Sequence, residues 1–449
     1  VPTDDHPLPR AAATAAAHTG DATWVPSPSD HRPQARGHGP SWTPVTTPRR
    51  ARATLVVMAC AAFALVTNEI APLGLIRSMA VDLNQSESTI GLLTTGFAVT
   101  VMVATVPLTL LTTRLDRRAV LVGVMAFWSL GALVIALSDS FALVMTGRVM
   151  TALGHALFWA VATPAAAGLF APHLRGRSVT RLMLGGATAG VVGLPLATVL
   201  GQRTSWQVPF WILAALGIAV ALAIAVLMPS FRTSEGSVAR GDVPSLPRFI
   251  RVLVVVLLTC TATATTWTYI APFYVDVAGF SEESVPALLA LAGASGMVSM
   301  YAVGRFLDRW PVKSLAVGEG LLLLLWCGLA TMGHMPVVAI VMLVVQGLAW
   351  STAVAAMANW ALRHTPWSSD IGMSAQASTF NAGNALGSAL GAGILAWWGA
   401  QWLPVASALI TAVVAVLVWQ VAPEATRLLH RRARTPEARR RAASRGTIS

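Results

Sequence analysis

Glu69 stands inside TLVVMACAAFALVTNEIAPLGLI (residues 54–76), a run long enough to cross a bilayer and free of any other charge. A carboxyl group at that depth costs roughly 2.5–3.5 kcal/mol on insertion scales, so it is expected to face a bundle interior or a water-filled cavity. A second apolar run, 141–171, carries Arg148, His155 and Trp159 at i, i+7 and i+11, which puts them on one helical face. Arg148 is the only Lys or Arg deep inside any such run, since Arg181, Arg251 and Lys313 lie within three residues of a run's end. At ~1.5 Å per residue, Glu69 lies about 12 Å and Arg148 about 10 Å from the outer ends of their runs. Equal depth points to an ion pair or a water-bridged contact, and a carboxylate beside a guanidinium is suited to loading and releasing a proton. His155, near the midplane, either relays protons or donates to a substrate hydroxyl, or else is a satisfied structural histidine.

Other polar groups reach similar depths. Asn68 precedes the carboxylate, Trp267 and Tyr269 sit in a later run, and Gln376, Asn381 and Asn384 place amides along another. With Trp159 they form a candidate substrate set, because sugar hydroxyls need paired donors and acceptors while aromatic faces cover the C–H side of a ring. Bonding between helices is the competing reading for the amides. Glu319, near the inner end of its run, is expected to reach the interface. No phosphate-cradling GxxxxGK[ST], HExxH, GxSxG or cluster of metal ligands occurs. The chain is therefore not expected to be an enzyme or to need a metal or other cofactor, and a proton gradient is the expected source of energy.

The elements that must position these residues are membrane helices. Of 449 residues 55% are hydrophobic and only 11% charged, and mean hydropathy is +0.65. Helices are the open-chain way to satisfy every backbone N–H and C=O in lipid. The expected spans are 54–76, 88–111, 119–138, 141–171, 178–200, 207–229, 249–275, 284–303, 313–332, 336–361, 371–395 and 402–421. Cys60, Cys260 and Cys327 all fall in these spans without ligand spacing, and are read as buried small hydrophobes.

The net charge of +12 is distributed as topology information. Of 31 Lys and Arg, six precede the first span, eight follow the last, fourteen lie in even-numbered connections or at the span ends that border them, and only Arg77 and Arg203 in odd ones. That bias puts both termini in the cytoplasm. Residues 1–52 read as a disordered cytoplasmic tail, 53–229 as one six-helix half, 230–248 as a cytoplasmic linker, 249–421 as the second half and 422–449 as a basic cytoplasmic tail resting near anionic headgroups.

The halves repeat. EIAPLGLIRSMAVDLNQSEST (69–89) is like YIAPFYVDVAGFSEES (269–284), and Leu115-Asp116-Arg117 is like Leu307-Asp308-Arg309. Parallel repeats with the site between them occur in secondary transporters. With GRFLDRWPVK (304–313), its degraded copy TTRLDRRAV (112–120) and the arginine of span four, the chain resembles the major facilitator superfamily. GGATAGVVGLPLATVLGQ (185–202) is similar to the pattern of the drug:proton antiporter branch. RVMTALGHALFWAVAT (148–163) and TYIAPFYVDVAGFS (268–281) are most similar to bacterial sugar efflux transporters of the arabinose-efflux type.

The resemblance implies an all-α fold of twelve membrane helices in two pseudo-symmetric six-helix halves, in the cytoplasmic membrane. It implies proton-coupled export of sugars or sugar-like molecules, with amphenicol-type drug efflux as the alternative and a non-transporting membrane sensor behind both. The partners are then a small molecule, protons and the bilayer, with no nucleic acid, and the chain works as a monomer. Asp116, Arg117, Gly304, Arg305, Asp308 and Arg309 become conformational latches, against the simpler reading of helix caps and topology charges. Gly193 and Pro195 become a helix bend, since proline removes an intrahelical bond.

The charge bias makes a testable statement. Reporter fusions within 230–247 and after residue 430 should report cytoplasm, and fusions near 84 and 280 the outside. A cytoplasmic signal at 280 would break the half-repeat.

Overall fold

The computed structural model of the chain describes residues 46–112, 115–171, 174–230, 244–307, 311–367 and 369–433. They form twelve long helical passages: α1 (Pro48–Asp82), α2 (Glu87–Thr112), α3 (Arg117–Ala136), α4 (Phe141–Gly168), α5 (Arg175–Thr188, then a π turn Ala189–Gly193, then Leu194–Arg203) and α6 (Gln207–Leu227). The second set is α7 (Leu246–Trp267), α8 (Val285–Leu307), α9 (Pro311–Met332), α10 (Pro336–His364), α11 (Ser369–Trp398) and α12 (Leu403–Ala433). Eleven passages among the described residues are long and apolar enough to cross a membrane. The exception by composition is α11, 30 residues long, whose amides, serines and glycines dilute its apolar residues.

Helix ends are set by local chemistry. Pro48 opens α1, with the Thr47 hydroxyl accepting from the Arg50 N–H at 3.4 Å. The Arg50 guanidinium in turn donates to Val226 O and Leu227 O at 2.6 and 2.7 Å, closing the last carbonyls of α6. The first span thus begins at 48 rather than 54, because a capped proline start extends the helix beyond its apolar run.

Two sequence expectations need correction. The seventh span does not run unbroken from 249 to 275: α7 stops at Trp267, one turn follows at Ile270–Pro272, and a π turn occupies Phe273–Val277. Pro272 has no N–H to offer Thr268 O, so the regular ladder cannot continue. The cysteines also divide, since only Cys260 is buried while Cys60 and Cys327 lie on exposed helix faces.

Packing depends on close backbone approach. Gly383, Gly387 and Gly391 of α11 lie against successive turns of α7, where a Cβ would come within 2.6, 2.3 and 2.4 Å of the carbonyl oxygens of Leu257, Thr261 and Thr265. This is helix packing of the small-residue kind rather than a substrate surface. Across the two sets of helices, α5 meets α8 where a Cβ on Gly293 would lie 2.4 Å from Gly190 O. Thr95 of α2 and Ser388 of α11 share a hydroxyl hydrogen bond at 2.8 Å.

Asp116 is the N-cap of α3. One carboxylate oxygen accepts from the Ala119 N–H at 2.9 Å and the other from the Ser230 hydroxyl at 2.6 Å, beyond the end of α6. Its described bonds therefore stay within the first six helices. Asp308 and Arg309 lie outside the described residues, as do the side chain of Arg305 and the surroundings of Gly304. Burial opposes the charge on Asp116, but these hydrogen bonds outweigh it and hold the carboxyl below its ordinary range. A carboxyl depressed in the folded state stabilises above its unfolded pKa, and that contribution is lost as pH falls through the folded value. Asp116→Ala should therefore lower unfolding stability in detergent by about 1 kcal/mol at neutral pH, with the difference from the parent shrinking below about pH 4. An undiminished difference at low pH would remove the charge from the account.

Candidate functional site

The site begins with a missing hydrogen-bond donor. Pro72 lies inside α1, which nevertheless runs unbroken from Pro48 to Asp82. Proline cannot donate to the carbonyl four residues earlier, so Asn68 O is left without its ladder partner in a region where water is scarce. Arg148, fully buried on α4, supplies the replacement. Its Nη1 donates to Asn68 O at 2.7 Å and its Nη2 to Glu69 O at 3.0 Å. The guanidinium also lies over the Phe97 ring of α2, 4.5 Å from the centroid.

The expected pairing is thus realised differently. Arg148 engages the main chain of Asn68 and Glu69, while the Glu69 carboxylate turns toward His155, with Oε2 3.6 Å from Nε2. The Glu69 side chain keeps 26% of its surface, against 11% for His155, so the carboxylate is the wetter of the two. Phe97 meets the His155 ring edge-on at 5.4 Å and Trp159 meets it at 6.2 Å. His155 Nδ1, Asn68 Nδ2 and Arg148 Nε are buried with no protein partner among the described residues. The arrangement is a partly exposed carboxylate beside a largely buried imidazole, backed by a dry, fixed positive charge.

The candidate substrate residues separate into two groups. Asn68 is fully buried, with Oδ1 3.5 Å from Arg148 Nη1, and Tyr269 is fully buried, with its hydroxyl donating to Ser388 O at 2.8 Å. Gln376 is buried as well. Trp159, Trp267, Asn381 and Asn384 stay partly exposed, with Asn381 Nδ2 donating back to Ala377 O at 3.0 Å. Gly193 closes the π turn of α5, and Pro195 lies in the first turn of the segment beyond it, so the expected bend takes the form of a widened turn. Glu319 does not reach an interface: it is 1% exposed, and its Oε1 accepts from Thr259 Oγ1 at 2.8 Å.

Sequence reasoning missed three participants. Phe97 gave no signal beyond being an aromatic residue in a span. Pro72 was visible in the repeated Ile-Ala-Pro core, and its unpaired carbonyl follows from counting back four residues. Arg77 was noted only as a charge in an odd connection. It pairs with Glu87 at 3.0 Å, with Glu282 at 3.0 Å and with Asp276, and so ties α1 and α2 to the connection between α7 and α8. Gln202 Nε2 adds a bond to Glu282 O at 2.9 Å.

The bond between Arg148 and the carbonyl that Pro72 frees can be tested by a double-mutant cycle. Arg148→Met should lower stability by about 1–3 kcal/mol for each buried carbonyl left unpaired. In Pro72→Ala the new N–H satisfies Asn68 O, and the same Arg148→Met change should cost distinctly less. Strictly additive losses in thermal unfolding would show that the two residues do not share the carbonyl.

Relatives and solved structures match this architecture. The Major Facilitator Superfamily model matches residues 55–371. The chloramphenicol efflux pump MT0201 of Mycobacterium tuberculosis (strain CDC 1551 / Oshkosh) is 35% identical over 281 residues, covering 62% of this chain and 67% of the pump. The inner membrane transport protein YdhP of Escherichia coli (strain K12) is 27% identical over 371 residues, 82% of this chain and 95% of YdhP. Among solved structures, the human organic anion transporter MFSD10 (TETRAN) superposes with a TM-score of 0.63 at 17% identity, over 83% of this chain and 100% of that one. A peptide transporter POT in complex with alafosfalin superposes with a TM-score of 0.68 at 12% identity, over 83% of this chain and 95% of that one. These two likenesses concern the fold. With a matched model spanning most of its length and twelve helical passages around a carboxylate and a buried guanidinium, this chain is a multi-pass membrane transporter of the Major Facilitator Superfamily.

Proposed function

We propose that the chain is a proton-coupled antiporter that exports a small amphipathic molecule across a bacterial cytoplasmic membrane, with both termini in the cytoplasm. One observation carries the coupling: the Glu69 carboxylate sits at membrane depth, partly exposed, 3.6 Å from His155 and free of a direct bond to Arg148. Such a carboxylate can take up a proton without breaking the fold, because Arg148 is anchored by carbonyl oxygens whose charge does not change. His155 offers a neighbouring site for the released proton.

The substrate class rests on what remains free. Asn68, Tyr269 and Gln376 are buried, and the first two are bonded within the protein, so few hydroxyl-matching groups are left. The partly exposed set combines the Trp159 and Trp267 rings with two amides, a surface that suits an aromatic molecule bearing a few polar groups better than a bare sugar. Similarity to chloramphenicol efflux pumps supports the same choice. Sugar export is the second reading, favoured by Asn381 and Asn384.

Alternating access follows from the ties. Among the described residues, Arg77, Thr95 and Gln202 supply hydrogen bonds and ion pairs between the two sets of helices toward the end that carries Arg77. Exposed ion pairs are worth at most about 1 kcal/mol each, so the Arg77 tie is weak enough to break in every cycle.

In proteoliposomes, Glu69→Gln should abolish uphill export and substrate-induced proton movement while downhill exchange of an amphenicol persists. Arg148→Lys should restore coupling only partly, because a point charge cannot hold two carbonyls in a planar fork. Normal proton movement in Glu69→Gln would transfer the proton site to another residue, and intact coupling with no response to amphenicols would overturn the substrate class alone.

A further inference from the structure

A groove of about 730 Å³ runs along the outside of the bundle between α1 and α5, with α6 behind it, away from the carboxylate site. Its floor is closed because the helices touch there: a Cβ on Gly185 would lie 2.2 Å from Ala59 O. Its walls are apolar, formed by Leu55, Val56, Phe63 and Leu216. Arg52 and Arg181 are its charged residues, and no carboxylate lines it. Both arginines are exposed, and neither has an ion-pair partner among the described residues. Each lies one to two turns inside the start of its helix, at the end of the bundle where the basic connections gather.

The dimensions identify the occupant. From Arg52 to Phe63 is eleven residues of α1, or ~16 Å of helix. That is close to one leaflet of a hydrocarbon core ~30 Å thick. A soluble anion would use the two guanidinium groups and leave the apolar wall bare, and a neutral chain would use the wall and leave the guanidinium groups unmatched. Planar guanidinium forks suit phosphate oxygens, and apolar side chains arrayed down to mid-leaflet suit an acyl chain.

We infer that this groove binds one anionic phospholipid, its phosphate held by Arg52 and Arg181 and one acyl chain lying along Leu55, Val56 and Phe63. The lipid seats on the α1–α5 contact and so bears on the helix that carries Glu69 and on the helix with the π turn, without touching either feature. The inference stands on the groove and on membrane insertion, and is independent of which molecule is exported.

The test uses the full chain with Cys327 replaced by alanine, so that Cys60, on the groove wall, is the exposed thiol among the described residues. Purified protein is offered dioleoylphosphatidylglycerol or dioleoylphosphatidylcholine, and retained lipid is counted by native mass spectrometry. The parent should retain the anionic lipid with roughly tenfold preference, and Arg52→Gln/Arg181→Gln should lose it. Arg52→Lys/Arg181→Lys should keep part of that preference and guards against a variant that fails to fold. In bilayers containing phosphatidylglycerol, methanethiosulfonate labelling of Cys60 should slow several-fold relative to phosphatidylcholine bilayers, and the glutamine variant should abolish the difference. Equal retention of the two lipids by the parent, or a preference that survives in the glutamine variant, overturns the inference. Equal thermal stabilisation by inorganic phosphate alone would reduce the site to a headgroup anion site and overturn its acyl arm.

Discussion

The structure depends on a single unpaired carbonyl. In lipid every backbone polar group must find a partner inside the protein, and Pro72 removes the natural partner of Asn68 O. Arg148 takes that place, and its charge is thereby fixed beside Glu69 without being consumed by it. A guanidinium bonded directly to the carboxylate would hold it ionised and would itself be left unpaired on each protonation. Bonded to two carbonyls and lying on the Phe97 ring, it keeps those partners whichever form the carboxylate takes.

The second set of helices meets the same constraint with a different outcome. Pro272 stands where Pro72 stands in the repeat, but among the described residues no side-chain donor reaches Thr268 O. There the helix stops, turns once and widens into a π turn. Tyr269, at the position corresponding to Glu69, is packed away with its hydroxyl on Ser388 O. The repeat thus gives one half an unbroken helix with a partly exposed carboxylate and the other a broken helix with a buried tyrosine.

Much of this was legible in the sequence. Apolar runs located all twelve passages, because hydropathy in lipid is a strong signal. Helical spacing put Arg148, His155 and Trp159 on one face, and depth counting placed Glu69 opposite. Partner choice escaped it, since depth says two groups are near each other and not whether a guanidinium meets a carboxylate or a carbonyl. Asn68 and Tyr269 read as substrate residues because polarity within a span has two uses, and only packing against Arg148 and Ser388 decides between them. Asp116 likewise read as a latch, while its described bonds are those of a helix cap.

The tie around Arg77 also has an electrostatic consequence for cations near that end of the bundle. One guanidinium faces Glu87, Asp276 and Glu282, so the rim carries two more negative charges than positive ones. Closed, the rim spreads that excess over a shared cation. Parted, it bares acidic groups at that end of the bundle, and a cleft lined by one sign of charge focuses its field and concentrates counter-ions. Hydronium and metal cations are enriched there at low ionic strength and lose that advantage as salt shortens the Debye length toward ~8 Å. The side chains that tie α1 and α2 to the α7–α8 connection thus become, once parted, an attractor for cations in general.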